Sequence, residues 1–113
     1  MGREVKANPR GVVPPSLFAQ ESINASQAIE SNKIYFVDTS TGVATLDLPG
    51  NPFVGDIIKI FDVNGSFQTN NLTVDPGSHK IMRNADTMTV STEGAAFTLV
   101  YSGTAGGWLV EAI

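Results

Sequence analysis

A single histidine, His79, and a scatter of carboxylates are the residues from which this chain would have to assemble acid–base chemistry. A Ser–His–Asp relay would have to use His79, which stands beside Gly77 and Ser78 in an expected turn. No Gly-x-Ser-x-Gly elbow accompanies it, so the reading is a solvent-facing turn residue. Asp38, Asp47, Asp56, Asp62, Asp75 and Asp86 fall at strand ends and turns. Paired carboxylates could flank a glycosidic bond, but acids beside Gly, Pro and Asn match ordinary turn chemistry. The chain has no cysteine and no calcium loop of alternating Asp and Asn, so no metal site is expected. The run from Gly103 to Gly107 lacks the Lys-Ser/Thr ending of a phosphate loop. Asn-x-Ser/Thr triplets at Asn24, Asn64 and Asn71 are accounted for by the abundance of those residues. Sugar stacking would fall to Phe53 and Phe67, both in expected loops, with the loop at residues 102–107. Tyr35, Tyr101 and Trp108 lie in strand patterns and are expected in a core or an interface. The expectation is a protein with no catalytic residues and no cofactor.

The elements that would hold these residues alternate with a period of two from Lys33 onward. Residues 33–39 (KIYFVDT) and 43–48 (VATLDL) read as strands, parted by Ser40-Thr41-Gly42 and stopped by Pro49-Gly50. The strongest strand is 56–63 (DIIKIFDV), with Ile58 and Ile60 on one side and Ile57, Phe61 and Val63 on the other. Asn64-Gly65 and Pro76-Gly77 are turn dipeptides. Residues 71–75, 80–82, 87–91, 95–101 and 108–113 complete the set. The prediction is an all-β fold, a small antiparallel sandwich or barrel of about eight strands. Trp108, Val110 and Ile113 belong to a closing strand with large apolar groups on both faces. Such a strand is either central in its sheet or packed against another subunit, so these residues are expected in the core or an oligomer interface.

Ahead of the β-domain (33–113), residues 1–32 read as an extended arm and connector. Pro9, Pro14 and Pro15 remove amide donors and disfavour helix before them. Leu17, Phe18, Ile23 and Ile29 follow at a spacing that fits no helical stripe, which leaves a short helix or an irregular connector. The formal net charge is −4, unevenly spread. Arg3, Lys6 and Arg10 against Glu4 make the first ten residues about +2, leaving about −6 for the rest. An acidic body argues against a nucleic-acid partner. No stretch approaches the roughly 20 apolar residues of a membrane span. The start lacks the apolar run of a signal peptide, and absent cysteine fits a cytoplasmic origin. With 42% hydrophobic and 16% charged residues the chain is globular. A domain this small, without disulfides, gains most from oligomerisation.

The succession Tyr35-Phe-Val-Asp-Thr-Ser-Thr-Gly42, Thr45-Leu-Asp-Leu-Pro49 and Val54-Gly-Asp-Ile-Ile-Lys-Ile-Phe-Asp62 carries a resemblance. It continues through Asn70-Asn-Leu-Thr-Val-Asp-Pro-Gly77, Lys80-Ile81, Leu99-Val-Tyr101 and Gly106-Gly-Trp108. The set resembles a small β-domain of virion appendage proteins of tailed bacteriophages, tail fibres especially. That resemblance implies a virion protein, assembled in the host cytoplasm, commonly trimeric, with no active site to transfer. The chain lacks the long repeats or coiled coil that give a fibre its length. Its format, a lone domain behind an arm, resembles capsid decoration (cement) proteins. Arm residues Val12, Val13, Leu17 and Phe18 would then be apolar anchors on the major capsid protein or another virion protein. Arg3, Lys6 and Arg10 would meet acidic surface. Fixing such an arm costs about 1–2 kcal/mol per residue in backbone entropy, which contacts with neighbouring chains must offset. A tail-fibre or baseplate part is the alternative, and a carbohydrate-binding receptor module a third.

Overall fold

The computed structural model describes residues 18–112. Nine strands form two sheets: β1 (Ala19–Ile23), β2 (Gln27–Ala28), β3 (Lys33–Val37), β4 (Ala44–Asp47), β5 (Ile57–Asp62), β6 (Leu72–Asp75), β7 (Met88–Val90), β8 (Ala96–Tyr101) and β9 (Trp108–Ala112). One sheet has the order β1-β3-β5-β8-β9, the other β2-β4-β6-β7. The all-β expectation holds, but the antiparallel one needs correction, because both sheets are mixed. β1, β3 and β5 run parallel, as do β2, β4 and β6. Only the pairs β6–β7, β5–β8 and β8–β9 are antiparallel.

The connectivity explains the parallel pairs. Through β6 the chain passes back and forth between the sheets, so each strand is laid beside the strand of the preceding coil. Ala19 thus lies opposite Lys33, and Lys33 opposite Ile58. Parallel strands need a crossover longer than a hairpin. Here the crossover is a strand of the opposite sheet, and no helix occurs among the described residues. The arrangement is a short solenoid of three coils, closed by the reversal at β7 and the β8–β9 hairpin.

Alternation puts one face of each strand between the sheets. Tyr35, Val37, Ile58, Ile60, Phe97, Leu99, Tyr101 and Trp108 enter from the larger sheet, and Ala44, Leu46, Leu72 and Val74 from the smaller. Ile29, Leu48, Phe67 and Ile81 fill in from connections. Each Val, Leu, Ile or Phe side chain among them contributes about 1.5–3 kcal/mol when fully buried. The division of β5 expected from its sequence is observed: Ile58 and Ile60 are buried, while Ile57 and Phe61 face outward. Two strands, β1 and β2, lie in the segment read from sequence as connector. Residues 80–82, expected as a strand, contribute only the bridges of Ile81 to Asn84 and Trp108.

Polar groups finish the ends of this core. At the first coil the Glu21 carboxylate accepts from Gln27 Nε2 (2.9 Å) and Lys33 Nζ (2.9 Å), and the Tyr35 hydroxyl accepts from the Glu30 amide (2.7 Å). At the far end of β5 the buried Asp62 carboxylate accepts three backbone amides: Ser66 (2.9 Å), Phe67 (3.1 Å) and Gly94 (2.9 Å). It ties the turn after β5 to the turn between β7 and β8. Gly107 lets β9 start against the Lys80 carbonyl, which accepts from Trp108 N at 2.7 Å; a Cβ there would run into that carbonyl.

Candidate functional site

The two sheets differ in what they turn outward. On the smaller sheet the outer positions of β4, β6 and β7 form the row Thr45–Thr73–Thr89, with Asp47 beside Asp75. That is a solvated face, the ordinary partner of a buried one. On the larger sheet the outer rows are mostly apolar. One row runs Ile57–Val100–Leu109 and another Ser22–Phe36–Phe61–Ala96. Phe36 and Phe61 stack with ring centroids 5.7 Å apart and an interplanar angle of 26°. Val63 continues this surface past β5 and is 52% exposed, and Leu109 is 39% exposed. Between the apolar rows runs a mixed one, Gln20–Ile34–Lys59–Thr98–Glu111.

The borders of the larger sheet are closed in different ways. Along β9, the turn at residues 81–84 covers the free edge. Met82 N donates to Trp108 O (2.9 Å), Arg83 N to Gly106 O (2.9 Å), and Val110 N approaches Met82 Sδ at 3.3 Å. Met82 and Arg83 are both at positive φ, 49° and 71°, a conformation that costs non-glycine residues of order 1 kcal/mol each. At the first coil, Lys33 pairs with Glu21 (2.9 Å) and Glu30 (3.4 Å). Hydrogen bonds from Gln27 and Lys33 hold the Glu21 carboxyl below its usual range, and Glu21 in turn raises Lys33. A strand added beside β1 would bury these charges, which disfavours pairing along that border.

A second exposed apolar feature is the loop before β5, where Phe53 is 79% and Val54 74% exposed. Asp56 holds it: its Oδ2 accepts from the Phe53 amide at 2.9 Å, and that bond keeps the Asp56 carboxyl below its usual range. Gly55, at φ 95°, donates to Tyr101 O at 2.8 Å. Phe67, its expected companion for sugar stacking, is fully buried in the core, so that pairing is corrected. His79 is half-buried. Its Nε2 lies 2.9 Å from Gly50 O and its Nδ1 3.1 Å from the Tyr101 hydroxyl, and Tyr101 packs against Trp108 with centroids 5.2 Å apart. Both ring nitrogens are thus engaged in tying two loops to the hairpin. No group of three or more His, Asp or Glu that could hold a metal ion occurs among the described residues.

Of the residues singled out from sequence, Arg3, Lys6, Arg10, Val12, Val13, Leu17 and Ile113 lie outside the described residues. Phe18 is half-buried just before β1. Trp108 is completely buried, and its indole N–H has no hydrogen-bond partner among the described residues. Val110 pairs with Leu99 and packs against the core edge, on the open side between β7 and β9. β9 is an edge strand among the described residues, so the central-strand alternative for its two apolar faces does not apply. Sequence reasoning missed the outer surface as a whole. The signal was present in Ile57 and Phe61 on the second side of β5 and in Leu109 on β9, but nothing local joins those strands.

Compared with known proteins, the chain matches no family model and no curated sequence.

Proposed function

We propose that this chain is a non-enzymatic structural subunit of a tailed-phage virion, a capsid decoration protein that docks through its N-terminal arm and stabilises the shell. The observation that supports it is the contrast between the two sheets: Thr and Asp on the outside of one, Ile, Phe, Val and Leu on the outside of the other. An apolar sheet face bordered by polar ends is suited to adhesion to protein. The phage resemblance of the β-domain supplies the setting, and the basic, proline-bearing first residues supply the arm. Partners in this reading are the major capsid protein and other copies of the chain, as a trimer.

A tail-fibre or baseplate part is the second reading. What favours it is the stacking of three parallel coils along one axis, an architecture that lengthens by repetition. Quantitative mass spectrometry of the parent particle separates the two: the chain is expected at a copy number matching the capsid lattice, whereas one matching the tail symmetry transfers it to the appendage. Removal of residues 1–17 is expected to abolish particle binding while circular dichroism keeps its β signature. Unchanged occupancy by the shortened chain sinks the arm-docking reading. The cut stops at residue 17 because Phe18 and β1 border the larger sheet.

A further inference from the structure

We infer that copies of this chain pack on one another through the outer face of the larger sheet, with Lys59 of one copy opposite Glu111 of the next. This deepens the assembly reading above and rests on it. Lys59 on β5 and Glu111 on β9 occupy the same transverse row, with Thr98 of β8 between them. Adjacent strands are about 4.8 Å apart, so the two residues are rooted about 10 Å from each other on the sheet. Neither has an ion-pair partner among the described residues. A cation and an anion placed symmetrically about a small central residue form a self-complementary pattern. A rotation axis running along β8 brings each Lys59 over a neighbour's Glu111, and this holds for two copies or three. An axis along β5 would instead bring the lysines together.

The rest of the face agrees with that axis. β8 turns Ala96, Thr98 and Val100 outward, side chains small enough for close approach, and Thr98 is only 5% exposed even in the single chain. On one side of the charged row Ile57, Val100 and Leu109 meet their counterparts, and on the other Phe61 and Ala96 do. Edge pairing is disfavoured at both borders, by the 81–84 turn on β9 and by the charges of the first coil. An acidic body disfavours anionic lipid as the occupant. In an obligate interface of this kind the core is apolar and the charges set register and partner.

The test is sedimentation equilibrium on the purified full-length chain and its charge variants, followed across the micromolar range. The wild-type chain is expected to form a closed oligomer. Lys59→Glu alone and Glu111→Lys alone are each expected to weaken association about tenfold or more, by facing like charges, and the double reversal to restore it to within about threefold. Val100→Glu, at the centre of the apolar row, is expected to give monomer with an unchanged circular dichroism spectrum. The two single reversals alter surface charges alone, so they keep the inference testable should Val100→Glu fail to fold. A wild-type monomer overturns it and assigns the face to the chain's own first residues or to another virion protein. An oligomer indifferent to the charge reversals, or one not rescued by the double variant, overturns it equally. Self-association is measured without particles, and copy number on particles without regard to this face, so the inference and the reading it rests on fail separately.

Discussion

Replacing Asp62 with asparagine changes one atom and sets a sharp test of what joins the turn after β5 to the turn between β7 and β8. The carboxylate is 8% exposed and accepts from Ser66 N through Oδ1 and from Phe67 N and Gly94 N through Oδ2. Asparagine has one acceptor oxygen and one amide. Its better orientation puts the oxygen toward Phe67 and Gly94, keeping two bonds in weakened neutral form, and turns its NH₂ toward the Ser66 amide. One charge-assisted bond is then lost and two donors face each other. A bond to a charged group is worth about 1.5–3 kcal/mol, so the expected loss is about 2 kcal/mol, the half-buried Ser66 recovering part of its bond from water. For a domain of this size that corresponds to about 8–16 °C in Tm. Asp62→Ala removes both acceptor oxygens and all three bonds, and is expected to cost about 3–5 kcal/mol. Urea denaturation followed by tryptophan fluorescence suits the measurement, because the single Trp108 is fully buried in the native core. A loss below about 0.5 kcal/mol for Asp62→Asn, with an unchanged m-value, would show that these three bonds do not hold the turns together, and the reasoning would fail.

Gly107→Ala is expected to destabilise by about 2–4 kcal/mol, because φ is +71° there and the new Cβ collides with the Lys80 carbonyl that receives Trp108 N. The same denaturation series reads this, and a cost under about 1 kcal/mol, the strain of the positive φ alone, would contradict the close approach. Acid sensitivity follows from Glu21, whose folded-state value lies below the unfolded one because of Gln27 and Lys33. The sign is fixed by that direction: its contribution is present above about pH 4.3 and lost as pH falls through the lower folded value. Tm is expected to be flat from neutrality to mildly acidic pH and to fall below it, with Glu21→Gln showing a shallower fall. A Glu21→Gln variant with the same acid profile as the parent would remove this cause.

What the sequence determined is the local part of the architecture. Strands β3 to β9 announce themselves by alternation and by the turn dipeptides between them, because period-two patterning and turn chemistry are properties of neighbouring residues. The inner and outer sides of β5 were legible for the same reason. Four things were not. Ala19–Ile23 and Gln27–Ala28 carry little β-branched or aromatic character, and they are strands because β3 and β4 offer them ladders to complete. The parallel order of the coils comes from where each connection returns the chain, a matter of loop closure and packing between residues far apart in sequence. The burial of Phe67 and the convergence of three amides on Asp62 belong to loops whose paths only the closed sandwich defines. The outer surface is the clearest case. Alternation marks Ile57, Phe61 and Leu109 as sharing no face with Ile58, Ile60 and Trp108, but only the register across β3, β5, β8 and β9 gathers them into one patch around Lys59, Thr98 and Glu111. A strand's pattern is written in its own residues; its neighbours are chosen by the whole chain, because lateral hydrogen bonds carry no sequence code of their own.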